Sequence, residues 1–359
     1  MEGFAFDRAR LAKFARVGER ARERDPHWVR PSPASLERQF DRDHPLWRVC
    51  QHVLLTDGDA RVVALINPRL AEADGTPYGQ LGWFEATGEA AARRALDAGL
   101  AWLAERGCRT ALGPMHGSTW HAYRFVTDWG DGLPFLLEPS NPASYPRWWQ
   151  AHGFTETATG YSSSLQDNGE AQAKLAPARR AAEERGYRVE HAALDDLPAV
   201  LRRIFDISRA VFGDNPFYSD IEWDEFAAIY EGAARLLDPS LVHWLRAPDG
   251  EVVGFGFGLR DRFAAARRVG GRSGVAGLLR FATSPRPTRS IFKSMGILGA
   301  HQGKGLAAAL FHEQAVQSLA LGCRTGVRAL MADGNRSFAT GRELHGVCRR
   351  YALFTRAVA

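Results

Sequence analysis

The tetrapeptide Gly107-Cys108-Arg109-Thr110 recurs as Gly322-Cys323-Arg324-Thr325, and no other feature constrains the fold of this chain as much. Each copy ends an amphipathic helical pattern and opens a β run. Other pairs follow in the same order. Asp57-Gly58 and Asp249-Gly250 each sit between two apolar runs, the pattern of a β-hairpin. Asn141 to His152-Gly153 has a counterpart in Asn335 to His345-Gly346. The distance between copies is nearly equal at the hairpin and at His-Gly, and larger at the tetrapeptide. The second copy therefore carries extra residues before its helix, and the first copy carries extra residues after it. The ordered set predicts a duplicated unit. A chain of 359 residues also exceeds one compact domain. Two lobes are expected, over 1–165 and 187–359, with a polar, alanine-rich linker over 166–186.

Composition narrows the class. A hydrophobic fraction of 45% supplies sizeable cores. No apolar run approaches a membrane span, and the start, Met1-Glu2-Gly3-Phe4, lacks the basic residues of a signal sequence. Cys50, Cys108, Cys323 and Cys348 show no C-x-x-C pairing and read as buried thiols of a cytoplasmic protein. A net charge of +5 favours anionic ligands.

The patterns predict a basic helix within 1–35, strands near 46–56, 60–67, 79–85 and 109–113, and a helix near 88–106. A helix follows Asn141, then a strand over 154–165. The second half reads as strand 187–192, helices 195–212 and 222–236, and strands 242–247, 252–260 and 290–298. Helix 304–321, strand 325–331, helix 336–344 and strand 348–357 complete it.

Chemistry concentrates at Gln302-Gly303-Lys304-Gly305-Leu306-Ala307, between an apolar strand and a helix. Glycines let backbone approach a ligand, and the first N–H groups of a helix, with its dipole, suit a pyrophosphate. The spacing fits neither a Walker loop nor a dinucleotide fingerprint. The pattern Gln-x-x-Gly-x-Ala resembles the acetyl-coenzyme A loop of the GCN5-related N-acetyltransferases (GNAT). The resemblance extends through strand Gly326–Met331, Asn335, His345-Gly346 and the closing strand, about the last 70 residues. It implies a mixed α+β (α/β) chain of two tandem GNAT-like acyl-CoA N-acyltransferase lobes, each a twisted mixed sheet flanked by helices. The first copy reads Glu85-Ala86-Thr87-Gly88-Glu89-Ala90 where the loop should stand, and its carboxylates would repel a pyrophosphate. It is expected to be degenerate.

The resemblance implies an acyl-CoA, acetyl-CoA above all, as co-substrate. Gln302, Gly303, Lys304, Gly305, Leu306 and Ala307 would hold its pyrophosphate. Ile297 and Leu298 would present backbone N–H groups to the acyl carbonyl. Asn335 would contact the pantetheine arm, or else act as a turn residue. Many members place a tyrosine four residues before the closing Gly; here that place holds Arg342, which cannot give up its proton. Three candidates for serving the departing thiolate stand open: Tyr351 as acid, Arg342 by charge, or a bound water. His116, His121, His301 and His312 are candidate bases. No H-x-x-x-H or H-x-H spacing occurs, so no metal is expected.

Over 260–289, Arg260, Arg262, Arg267, Arg268, Arg272, Arg280, Arg286 and Arg289 face Asp261 alone. Punctuated by glycine and proline, the stretch reads as a long loop, either solvated or a basic flap over an anionic ligand. The implied activity is acyl transfer from coenzyme A to an amine of a small molecule or peptide, with no membrane involved. Two alternatives stand beside it: an aminoacyl-tRNA-dependent transferase of the tandem type, and a non-catalytic acyl-CoA-binding protein. The pyrophosphate loop favours the first reading, since a tRNA-dependent enzyme has no need of it. A pocket is expected between the halves, the first copy supplying walls.

Overall fold

A computed structural model describes the chain except residues 5–6, 132, 232–236, 273, 336–338 and 359. The chain opens with β1 (Glu2–Phe4), α1 (Arg8–Arg22), α2 (Pro33–Gln39) and α3 (Pro45–Val49). The first half continues through β2 (Gln51–Thr56), β3 (Ala60–Ala71), β4 (Pro77–Ala86), α4 (Glu89–Ala104) and β5 (Thr110–Gly113). After β6 (Phe125–Asp128), α5 (Ser144–Ala151) and β7 (Thr155–Glu156) come β8 (Tyr161–Asp167) and α6 (Asn168–Glu184). The second half holds β9 (Arg188–His191), α7 (Leu197–Phe212), α8 (Trp223–Glu231), β10 (Val242–Arg246) and β11 (Val252–Arg260). Then follow α9 (Phe263–Val269), α10 (Gly274–Ala282), β12 (Arg289–Ile297), α11 (Leu306–Ala320) and β13 (Thr325–Ala332). β14 (His345–Ala352) and β15 (Phe354–Ala357) close the chain.

Two mixed sheets result, in the orders β1-β2-β3-β4-β5-β15-β7 and β6-β14-β8-β13-β12-β11-β10-β9. The repeat pairs fall at equivalent places. Gly58 and Gly250 both sit at φ +88°, and Asp57 and Asp249 each accept the N–H two residues on, which closes both hairpins. Gly107 and Gly322 end α4 and α11 in the left-handed region. Cys108 N–H then bonds Leu103 O and Cys323 N–H bonds Ser318 O, the same Schellman-type stop. Both cysteines are buried. β4 runs parallel to β5, and β12 to β13. The His-Gly pairs are not equivalent: His152 ends α5, whereas His345 and Gly346 open β14.

The two halves exchange strands. β8 lies between β14 and β13 in the second sheet, and β15 pairs with β5 and β7 in the first. The stretch 166–186, expected as a linker, is mostly helical. It is the end of β8 followed by α6, capped by Asp167 on Glu170 N–H and packed on α11. The closing strand 348–357 breaks at Leu353, whose carbonyl accepts Thr157 N–H, and its two parts join different sheets. Residues 45–49 are helical rather than extended, because Pro45 starts a turn and His44 Nδ1 accepts Leu46 N–H. Helix 222–236 is described over Trp223–Glu231, its remainder lying outside the described residues. Of helix 336–344, residues 336–338 lie outside the described residues, Ala339 is helical and Arg342–Leu344 form a 3-10 turn. The arginine-rich stretch, read as a long loop with one helical turn or two, is helical over α9 and α10. Arg260 and Arg289 pair with Asp238 and Asp261, while Val275, Leu278 and Leu279 of α10 stand exposed.

Candidate active site

The glycine loop opens α11. Gly303 and Gly305 sit at φ +75° and +71°, and a Cβ built at either meets no atom within 4 Å. The left-handed turns let successive N–H groups point outward. Those of Gly303, Lys304, Gly305, Leu306 and Ala307 have no acceptor among the described residues, whereas Gln302 N–H reaches Gly299 O and Ala308 N–H reaches Gly305 O. No acidic side chain occupies the first turn of α11. Side chains brace the loop from behind. Gln302 Nε2 donates to Ile297 O at 2.8 Å, Arg185 donates to Lys304 O at 2.8 Å, and Lys304 Nζ reaches Tyr187 OH at 3.2 Å. His301 Nδ1 lies 3.0 Å from the same hydroxyl, so it too serves the loop.

The first lobe differs at the same place. Thr87 N–H is bonded to Asp59 O, and Glu89 fills the first turn of α4. Glu85 is buried, held by Arg22 at 3.3 Å and by the Tyr145 hydroxyl at 2.7 Å. The Glu89 charge in the first turn disfavours an anion at this helix end.

β12 and β13 are paired from Arg289↔Thr325 to Phe292↔Arg328 and then part. Leu298 N–H is spent on Val253 O. By strand alternation, Ile297 and Met295 turn their N–H groups toward the opening. Of the expected pair Ile297 and Leu298, only Ile297 can therefore offer its N–H there. The parting opens into a cleft of about 1260 Å³ between the halves. The second half lines it with Lys293, Met295, Gln314, Arg328, Leu330 and Asn335. The first half supplies His44, Trp83, His116, His121, Tyr123 and Arg124. No residue of 260–289 lines the cleft.

Tyr351 and Arg342 are not on the cleft wall. Tyr351 is 1% exposed, and its hydroxyl donates to Glu138 and lies 2.9 Å from Ser163 Oγ. Burial and the Glu138 charge push this phenol well above its ordinary range. Arg342 lies in the 3-10 turn behind left-handed Gly341. Among the histidines, burial lowers His116 and His121 to about 3, so both are neutral acceptors at neutral pH. His116 stacks on Trp83 at 3.9 Å and accepts its N–H. His121 lies 3.0 Å from Ser118 Oγ. His312 is off the cleft wall. Among the described residues one trio could hold a metal, His191, His243 and Glu313, with ligand atoms within 4.8 Å of one another. Sequence spacing could not show it, because β9, β10 and α11 bring it together; Glu313 already binds Gln317.

Two groups at the cleft were missed in the sequence. Arg124, at φ +81°, lays its guanidinium 3.7 Å from the Tyr123 ring and 3.9 Å from the Tyr161 ring. Lys293 is the one charged residue in an apolar strand, Ser290-Ile291-Phe292-Lys293-Ser294-Met295, and that interruption was the available hint.

The architecture is that of two GNAT-like lobes in one chain. No family model and no curated protein matches the sequence. Solved structures do match over nearly all of it. The chain is similar to a tandem GNAT protein from the clavulanic acid biosynthesis pathway, with 9% identity and a TM-score of 0.55, covering 100% of this chain and 98% of that one. It is also similar to a GCN5-related N-acetyltransferase from Sphaerobacter thermophilus, with 14% identity and a TM-score of 0.51, covering 99% and 95%. A glucosamine N-acetyltransferase region of a fungal β-N-acetylglucosaminidase reaches a TM-score of 0.56 at 12% identity, over 99% of this chain and 38% of that one. At these identities the likeness establishes the fold. No helix among the described residues is long and apolar enough to cross a membrane.

Proposed function

We propose that the chain is an acyl-CoA-dependent N-acyltransferase that uses acetyl-CoA or another acyl-CoA at the second lobe. The observation that carries this reading is the loop: five consecutive N–H groups with no acceptor among the described residues, at a helix start free of carboxylates. Gln302 to Ala307 would hold a pyrophosphate, and Asn335 the pantetheine arm at the cleft wall. When bound, the acyl-CoA supplies an activated acyl group. The Ile297 and Met295 N–H groups would stabilise negative charge on its carbonyl oxygen. The acceptor amine, on a small molecule or peptide, would occupy the cleft and must be neutral to attack. Water in the cleft would carry the amine's proton to the thiolate, since Tyr351 and Arg342 lie off its wall.

Calorimetry with coenzyme A tests the reading. One site per chain is expected in the wild type. Gly303→Val with Gly305→Val places side chains over the N–H groups and strains both left-handed positions. The double variant should lose binding at least about 10-fold, or about 1.4 kcal/mol. Unchanged binding, or two sites per chain, would refute the assignment. A non-catalytic acyl-CoA-binding protein is the second reading, favoured by the burial of Tyr351. Coenzyme A binding without turnover of any amine would support it.

A further inference from the structure

Two cations on the cleft wall, Arg124 and Lys293, have no carboxylate partner among the described residues. Arg124 is 7% exposed, and its Nε and Nη1 are buried without a hydrogen-bond partner. Its ring contacts with Tyr123 and Tyr161 leave its in-plane N–H groups unused. Its position is imposed: φ is +81° at a non-glycine residue, and its own N–H is tied to Pro114 O at 3.0 Å. Such backbone is costly and persists where the surroundings hold it. Lys293 is placed as deliberately. Phe257 pairs with Ser294 and Gly258 with Phe292, so Lys293 is the extra residue of a β-bulge. A bulge re-aims one side chain, here where β12 and β13 part. Lys293 makes no hydrogen bond or ion pair among the described residues and lines the same cleft.

A buried, unpaired guanidinium costs stability, and a second cation beside it costs more. The carboxylates on the cleft wall do not offset this. Asp41 and Asp43 are exposed. Glu138 is committed to Arg349 at 3.3 Å, Phe135 N–H at 2.9 Å and the Tyr351 hydroxyl.

We propose that Arg124 and Lys293 form an anion subsite in the cleft that binds the carboxylate or phosphate of the acceptor, making the substrate an acidic amine. The word acceptor rests on the acyltransferase reading; the anion subsite does not. Burial first, and then the Arg124 charge, bring the Lys293 ammonium down to about 8, and Arg124 too is lowered by burial. An anion between the two would raise both again.

The test is thermal unfolding of the whole chain in sodium succinate, sodium phosphate and sodium chloride at equal ionic strength. The wild type should gain about 2 °C or more over chloride with one of the two oxyanions near saturation. A larger gain with succinate assigns a carboxylate, and with phosphate a phosphorylated acceptor. Lys293→Met should melt at or above the wild type in chloride, because a half-buried charge repelled by Arg124 is gone, and should lose the oxyanion gain. Arg124→Gln should lose it as well, with Arg124→Lys in its place should that variant not fold. The Gly303→Val, Gly305→Val protein should keep the gain while losing coenzyme A, which separates this subsite from the loop. No oxyanion gain in the wild type overturns the proposal. So does a gain that survives in Lys293→Met, or one that vanishes only in the loop variant. Failure of the wild type to bind coenzyme A would sink the acyltransferase reading and leave the subsite standing.

Discussion

Tyr351 shows how far a single residue can be read without its neighbours. Strand alternation gives the face a side chain takes, but Glu138 and Ser163 come from other parts of the chain, and they enclose the hydroxyl. Tyr351→Phe removes a hydrogen bond to a buried carboxylate that keeps Arg349 and Phe135 N–H as partners. A stability loss of about 1–3 kcal/mol in urea unfolding is expected, with kcat within a few-fold of wild type. An intact fold with kcat lowered about 100-fold would instead mark it as the acid. Buried histidines set the acid limit. His116 and His121, lowered to about 3, stay neutral when folded, while the unfolded chain protonates them near 6.5. The unfolded state thus binds more protons between about 3 and 6.5. Each should cost about 1.4 kcal/mol per pH unit as pH falls through that window. His116→Gln can still accept Trp83 N–H, and it should shallow the slope of unfolding free energy against pH by one proton. A slope unchanged from the wild type would show that His116 is not neutral when folded. Lys293 and Arg124 were not singled out from sequence because the bulge and the ring sandwich that place them are tertiary features.

At the level of elements, what was legible was local. The loop before α11, both hairpins and both helix stops depend on a glycine in the left-handed region and on neighbours within a few residues. An element whose ends depend on distant partners was misjudged: the strand that splits at Leu353. One close approach gives the element scale its prediction. A Cβ at Gly258 in β11 would stand 2.5 Å from Gln314 Oε1 and 3.0 Å from Ile291 O. Gln314, on α11, donates through Nε2 to Leu241 O at 3.0 Å. The glycine thus lets the helix that carries the loop sit against the sheet. Gly258→Ala should push Gln314 off Leu241, cost about 1–3 kcal/mol and weaken coenzyme A binding together with stability. Loss of stability with unaltered binding would show that the loop is set independently of this contact.

Over the whole molecule, the duplication visible in the sequence is real at the core of each sheet and fails at the strands that join them. If each half were self-contained, β8 would close the first sheet beside β5, and β15 the second beside β13. Instead each takes the other's place, β15 against β5 and β8 against β13. The consequences reach the cores. Phe354 is fully buried in the first core, 6.0 Å from Phe125 and 6.5 Å from Trp149 between ring centroids. Asn168, just past β8, donates to Cys323 O at 2.9 Å beside the stop of α11. A fragment of residues 1–165 would lack β15. It would expose the edge of β5 and leave Trp149 without part of its packing. A fragment of 187–359 would lack β8 and α6, so β13 and β14 would lose the strand between them. Neither fragment alone should unfold cooperatively, and 1–165 should aggregate. Truncation after Leu353, which removes β15 only, should destabilise the first lobe by more than 4 kcal/mol, the scale of losing a buried aromatic and its strand. Hydrogen exchange would locate that loss in β4, β5 and α5, with α11 and its loop less affected. Cooperative unfolding of isolated 187–359, with coenzyme A binding retained, would show instead that the exchange is dispensable and that the second lobe carries its site alone.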